Sequence, residues 1–273
     1  MRCLLILVAL NLSVFANAER LVSAGGSLTE IVFALGAGNQ LVGVDSSSHY
    51  PVQARALPDI GYYRALNVEG ILSVQPQQLL VLNGTGPQAV LNQLDSLGLK
   101  TTVINNPKSL TGLYTTIQQV AEVTDKQAQG EQLITQIQAE LAALQQLTSV
   151  AGKSVVFLLS AGERGLVAAG SDTMPQLIFE QLDLRNPFVS LSGFKTVSAE
   201  ILAAENPDII LLASHTSTDT SVELLCQEPQ LALWADSRGC QLHKVDSLLF
   251  MGLTPRVPQA IAHTHELLVQ YAD

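Results

Sequence analysis

Tyr62, Tyr63 and Arg64 set two phenols beside a guanidinium, and the chemistry open to that trio is iron ligation. A free phenol titrates at about pH 10 and is a poor ligand while neutral, but ferric iron and a neighbouring cation both favour the phenolate. Tyrosinate is a hard oxygen donor that haem iron accepts as an axial ligand. On this reading Tyr62 holds the metal and Arg64 supports its charge. The other reading of the same residues is an aromatic loop packed on the protein surface.

The segment that follows occurs twice. Glu69 is separated by six residues from Pro76 and the apolar run Leu79 to Leu82, and Glu200 by six residues from Pro207 and the run Ile209 to Leu212. Each glutamate falls at the second helical position after an N-cap residue, Asn67 or Ser198, where the helix dipole favours a carboxylate. That alone is a sufficient structural reason for both.

Other chemistries are thinly supported. No HExxH, GxSxG or phosphate-binding loop occurs, and no nucleophile–base pair can be assembled, so an enzyme is not expected. His263 and His265 do not share a helix face, and a zinc or manganese carrier would need several cleft histidines with a carboxylate. Gly36-Ala37-Gly38 lacks the rest of a dinucleotide fingerprint and reads as a helix stop.

These residues must be positioned by a framework of short strands and helices. Arg20 to Ser23, Leu41 to Val44, Leu79 to Leu82 and Thr101 to Ile104 are short strands alternating with helices, the pattern of a parallel sheet covered on both faces. From Ser109 to Leu147 the pattern is helical with a break at Thr124-Asp125, which offers an N-cap for a helix over about Lys126 to Leu147. The strand–turn–helix scheme then restarts at Ser154 to Leu159, where Ser160-Ala161-Gly162 echoes Ser23-Ala24-Gly25. The expected fold is therefore α/β: two lobes, each a central mostly parallel sheet flanked by helices, joined by one long helix. The expected boundaries are 19–123 for the first lobe, 124–150 for the connecting helix and 151–273 for the second lobe.

Residues 1–18 read as a signal peptide, with Arg2, the apolar run Cys3 to Leu10 and the small-x-small site Ala16-Asn17-Ala18. Export with cleavage after Ala18 would leave 13 Lys plus Arg against 24 Asp plus Glu, a net charge of -11. Nucleic acid and anionic membrane surfaces are poor partners for such a chain. Cys226 and Cys240 remain after cleavage; in an oxidising compartment such a pair reads as a disulfide, and two buried thiols are the alternative.

The order of a strand–SAG turn, Tyr50-Pro51, Gly61-Tyr62-x-Arg64-x-Leu66, Glu69-Gly70-Ile71-Leu72-Ser73, Gly84-x-Gly86-Pro87 and Gly252-x-x-Pro255-Arg256 resembles the periplasmic haem-binding proteins of ABC haem importers. The resemblance covers essentially the whole mature chain. It implies a monomeric carrier with a rigid helical spine that takes ferric haem into the interlobe cleft through Tyr62. It also implies that Glu69 and Glu200 dock into basic pockets of the permease of an inner-membrane ABC permease–ATPase complex. Some members add a histidine from the second lobe, but the matching loop here reads Ser160-Ala161-Gly162-Glu163-Arg164. Arg164 is then a partner for a haem propionate or an exposed surface charge. His215, after the run Ile209 to Leu212, is either a cleft residue or a solvated loop histidine. Tyr50 and Tyr63 are further rings near the site, and neither is assigned to flank a ligand. A corrinoid or ferric siderophore carrier of the same fold is the alternative, although those relatives lack the tyrosine–arginine motif.

Overall fold

The computed structural model describes residues 19–160, 165–214 and 220–270, so the signal peptide lies outside the described residues. In the first lobe the apolar runs become β1 (Leu21–Ala24), β2 (Leu41–Val44), β3 (Gln78–Leu82) and β4 (Lys100–Ile104). They form one sheet in the order β2-β1-β3-β4 with every pair parallel, Leu21 lying between Leu41 and Gln78. Helices α1 (Gly26–Ala34), α2 (Val68–Ser73), α3 (Gln88–Ser96) and α4 (Leu110–Val123) supply the crossovers and cover. Central β1 is buried throughout, as a parallel sheet with two covered faces requires.

The second lobe holds β5 (Val155–Ser160), β6 (Leu166–Ala169), β7 (Phe194–Val197), β8 (Ile209–Ser214) and β9 (Leu242–Asp246). Their order is β7-β6-β5-β8-β9. The β5, β8 and β9 ladders are parallel, but β6 runs antiparallel to both β5 and β7. Only five residues join β5 to β6, too few for the crossover that a parallel neighbour needs, so the chain turns straight back. The sheet is thus parallel at its centre and antiparallel along one edge. Its helices are α6 (Met174–Gln181), α7 (Ala199–Glu205), α8 (Val222–Gln227), α9 (Pro229–Arg238), α10 (Ser247–Met251) and α11 (Val257–Val269).

Between the sheets runs α5 (Gln127–Leu144), which packs on α4 on one side and on α11 on the other. Its 18 residues make it roughly 27 Å long, somewhat shorter than the span of 126–147 read from the sequence. The expected cap does not form. The Thr124 hydroxyl donates back to the Val120 carbonyl at 2.8 Å, Asp125 takes a left-handed φ of 54°, and Lys126 occupies the cap without a side-chain bond. Thr124 is buried at the end of α4, where the free carbonyls of that helix are closer than the amides of the next.

Gly130 lets α4 and α5 approach, since a Cβ there would lie 2.8 Å from the Ala121 Cβ. One apolar cluster continues from Leu28 and Ile117 through Ile137 of α5 to Phe157, Ile209 and Ile261. Because close-packed interiors deform little, this continuity opposes large rotations of one lobe against the other.

Candidate functional site

The connection from β2 to α2 carries Tyr50 and Tyr62 and leaves the carboxyl end of β2, where open α/β sheets hold their ligands. Two buried anchors, Ile60 and Leu66, grip the Tyr62 turn from either side. Ile60 donates its amide to the Val44 carbonyl and Leu66 to the Gly86 carbonyl, while the Gly86 amide returns a bond to the Tyr63 carbonyl at 3.0 Å. Between the anchors the chain must turn outward, and Gly61 does so at a φ of 93° with its amide on Asp59 Oδ1. The result leaves the Tyr62 ring 46% exposed on a clamped turn.

Tyr63 points inward and packs against the core, its ring edge-on to Tyr62 at a centroid distance of 4.8 Å. Arg64 is exposed, with its guanidinium carbon 5.2 Å from the Tyr63 centroid. Arg64 therefore stacks on Tyr63, the ring behind Tyr62. Burial pushes the Tyr63 phenol up, and its hydrogen bond to Tyr62 pushes it further, against the opposing pull of the Arg64 charge. Tyr63 is thus kept a neutral hydroxyl, able to bond the oxygen of Tyr62.

Beside this turn, the N-terminus of α1 is already occupied. Asp45 accepts from the Gly25 amide at 2.9 Å, from the Ser48 hydroxyl at 2.8 Å and from the Ser47 hydroxyl at 2.7 Å. Ser47 in turn accepts from the Gly26 amide at 3.1 Å. The positive end of a helix often receives a ligand anion, but here a buried carboxylate takes that place.

The lobes meet on the other side of α1. Arg256, in the turn that leads into α11, bonds Glu30 of α1 at 2.8 Å and approaches Asp246, the N-cap of α10, at 3.5 Å. Both members of the first pair are buried, at 8% and 2% exposure. Burial alone would lower the Arg256 pKa, but the bond to Glu30 and the nearby negative charges raise it, so the guanidinium stays charged. Its guanidinium carbon lies over the Tyr50 ring, 3.6 Å from the centroid. The sequence contained Tyr50 and Arg256 within a recognisable order of motifs, but nothing in their spacing signalled that they touch.

Glu69 and Glu200 are both exposed at the second positions of α2 and α7. Asn67 Oδ1 accepts from the Gly70 amide at 2.6 Å and Ser198 Oγ from the Ile201 amide at 3.3 Å, the caps that the sequence indicates. The repeat is structural as well: α2 leads into β3 beside β1, and α7 into β8 beside β5. Arg164 and His215 lie outside the described residues. Cys226 of α8 and Cys240, just before β9, form a disulfide with their Cα atoms 5.9 Å apart. Among the described residues no group of histidine, cysteine and carboxylate side chains could hold a bare metal ion, and no helix is long and apolar enough to cross a membrane.

The fold has clear relatives. The periplasmic haem-binding protein RhuT from Roseiflexus sp. RS-1 superposes with a TM-score of 0.85 at 32% identity, covering 94% of this chain and 100% of that one. The periplasmic haem-binding protein HutB of Vibrio cholerae gives a TM-score of 0.83 at 32% identity, over 92% of this chain and 99% of the other. By sequence, the vitamin B12-binding protein of Photorhabdus laumondii is 28% identical over 77% of this chain and 76% of its own length. Residues 21–235 match the model of the family described as periplasmic binding protein, and the chain belongs to that family.

Proposed function

We propose that the protein is an exported, monomeric carrier that binds ferric haem between its lobes and hands it to an ABC permease–ATPase complex in the inner membrane. The observation that carries this reading is Tyr62, a half-exposed phenol on a clamped turn at the carboxyl end of a parallel sheet, backed by a neutral tyrosine and an arginine. Its oxygen is the axial ligand of the iron, and Tyr63 and Arg64 steady the phenolate. The two solved relatives with haem in their names support haem as cargo. Cleavage after Ala18 releases the mature chain, whose lobes span 19–123 and 151–273 about a spine at 124–150.

Asp45 already takes the N-terminus of α1, and the propionates are assigned to arginine, whose fork suits a carboxylate. Arg164 follows β5 in the chain and is assigned that role; His215 follows β8 and is assigned as a further haem-binding residue. Glu69 and Glu200, one per lobe on equivalent exposed helix starts, dock the carrier onto the permease.

Adding ferric haem to the apo-protein tests the central claim. Wild type should develop the visible spectrum of a tyrosinate-ligated ferric haem, and Tyr62→Ala should lose it; unchanged ligation in the variant sinks the assignment. A corrinoid is the second reading, supported by relatives named vitamin B12-binding protein. Uptake of cyanocobalamin in place of haem would decide for it. For docking, Glu69→Ala combined with Glu200→Ala should leave haem binding intact and abolish transport, and normal transport would refute that role.

A further inference from the structure

Tyr50 has a role that the iron site does not use. One face of its ring is covered by the Arg256 guanidinium at 3.6 Å, yet the residue is 40% exposed. It stands on the same connection as Tyr62, leaving β2 at the carboxyl edge of the first sheet. Arg256 comes from the opposite lobe, in the turn between α10 and α11, and lies 3.5 Å from Asp246 at the carboxyl end of β9, so its contact with Tyr50 joins the carboxyl-end side of one sheet to that of the other.

The guanidinium cannot swing aside, because Glu30 and Asp246 hold it and leaving would strand the buried Glu30 carboxylate. A cation on one face draws π density toward itself and leaves the other face suited to stacking on an electron-rich macrocycle. A ring backed from one side by a fixed cation and still 40% exposed has the form of a stacking platform.

We infer that Tyr50 is the platform on which the flat face of a porphyrin rests, with Arg256 as the positioning residue that fixes its plane. The inference rests on the haem reading above and adds to it a recognition element for the macrocycle, independent of the iron.

That independence supplies the test. Ferric protoporphyrin IX and metal-free protoporphyrin IX are titrated into wild type, Tyr50→Ala, Tyr50→Phe and Tyr62→Ala. Tyr50→Ala should weaken both porphyrins by the same factor, about 10-fold, while Tyr50→Phe stays within about 2-fold of wild type. Tyr62→Ala should weaken only the ferric form. Arg256→Lys keeps the charge and loses the planar face; it should weaken both porphyrins in wild type and add nothing in the Tyr50→Ala background.

The platform is overturned if Tyr50→Ala binds both porphyrins as wild type does. It is equally overturned if that variant weakens the ferric form alone, which would make Tyr50 an iron ligand, or if Tyr50→Phe is as weak as Tyr50→Ala. Tyr50 is exposed enough that its variants should fold, and circular dichroism verifies this, so the Tyr50 series remains decisive even if Arg256→Lys does not fold. A wild type that binds cyanocobalamin and neither porphyrin overturns the haem reading alone. The Tyr50→Ala and Tyr50→Phe comparison on the corrinoid then decides the platform by the same criteria.

Discussion

Two tyrosine–arginine contacts grow from one connection and are built in opposite ways. Arg64 is a sequence neighbour of its ring, exposed, and 5.2 Å from the Tyr63 centroid. Arg256 is buried, reaches across from the second lobe, and lies at 3.6 Å over Tyr50. Water solvates Arg64 whichever way it turns, so that contact can open and re-form as a ligand arrives. Arg256 is part of the folded frame. The first arrangement suits residues that follow a change of charge at a metal, and the second suits a surface that must stay in place.

The sharpest way to break this contrast is to remove each arginine in turn. Arg256→Ala leaves Glu30 buried without its cation and should cost about 3–5 kcal/mol in urea unfolding, whereas Arg64→Ala should cost less than about 1 kcal/mol. Similar losses for the two would erase the distinction. A double variant, Glu30→Leu with Arg256→Met, should recover much of the deficit, because apolar groups of similar size need no partner.

A second test concerns the lobe that holds Arg256. The disulfide ties α8 to the start of β9 across a sequence separation of 14, and replacing Cys226 and Cys240 by alanine should cost roughly 3 kcal/mol. The haem spectrum set by Tyr62 in the other lobe should not shift; a shifted spectrum would mean that the two walls are not independent.

Gly26→Ala probes the junction itself. A Cβ there would lie 2.7 Å from the Ser47 carbonyl oxygen and 3.0 Å from Leu248 Cδ1, so α1 must shift away from the Ser47 backbone while the Leu248 side chain turns aside. The expected cost is about 1–3 kcal/mol, with weaker porphyrin binding through the disturbed Glu30–Arg256 pair. Wild-type stability would show that the Ser47 segment yields at this point.

The smallest effect lies on the outer surface. The bond from Ser198, and then its own backbone amide, hold the Glu200 carboxyl below the usual glutamate range. A carboxylate lowered on folding adds stability that is present above its unfolded titration and lost as pH falls through the folded one. Ser198→Ala should therefore return the Glu200 titration, followed by NMR, toward the ordinary value; an unmoved titration would break the assigned cause.

The local geometry around Tyr62 and at the two glutamates was legible in part, because its signals are short-range. The turn around Tyr62 declares itself by residue order, and the caps at Asn67 and Ser198 follow from hydroxyl or amide side chains placed just before an apolar helix. The cap expected at Thr124 failed for an equally physical reason: the same hydroxyl can bond backward, and burial at the end of α4 decided in favour of Val120. The antiparallel edge of β6 and β7 was missed altogether: Leu166–Ala169 is only four residues long, and Phe194–Val197 sets Lys195 and Thr196 among its apolar residues, so neither stands out as a strand.

By itself, the sequence determined two α/β units about a helix and a glutamate at each repeated helix start, and it left Tyr62 with two readings, since periodicity and capping act over a few residues. Only the tertiary structure decided that Arg256 meets Glu30 across 226 residues and that its free face supports Tyr50. Such a contact depends on how two sheets and a spine pack together, and that packing sums many weak long-range terms that no local pattern records.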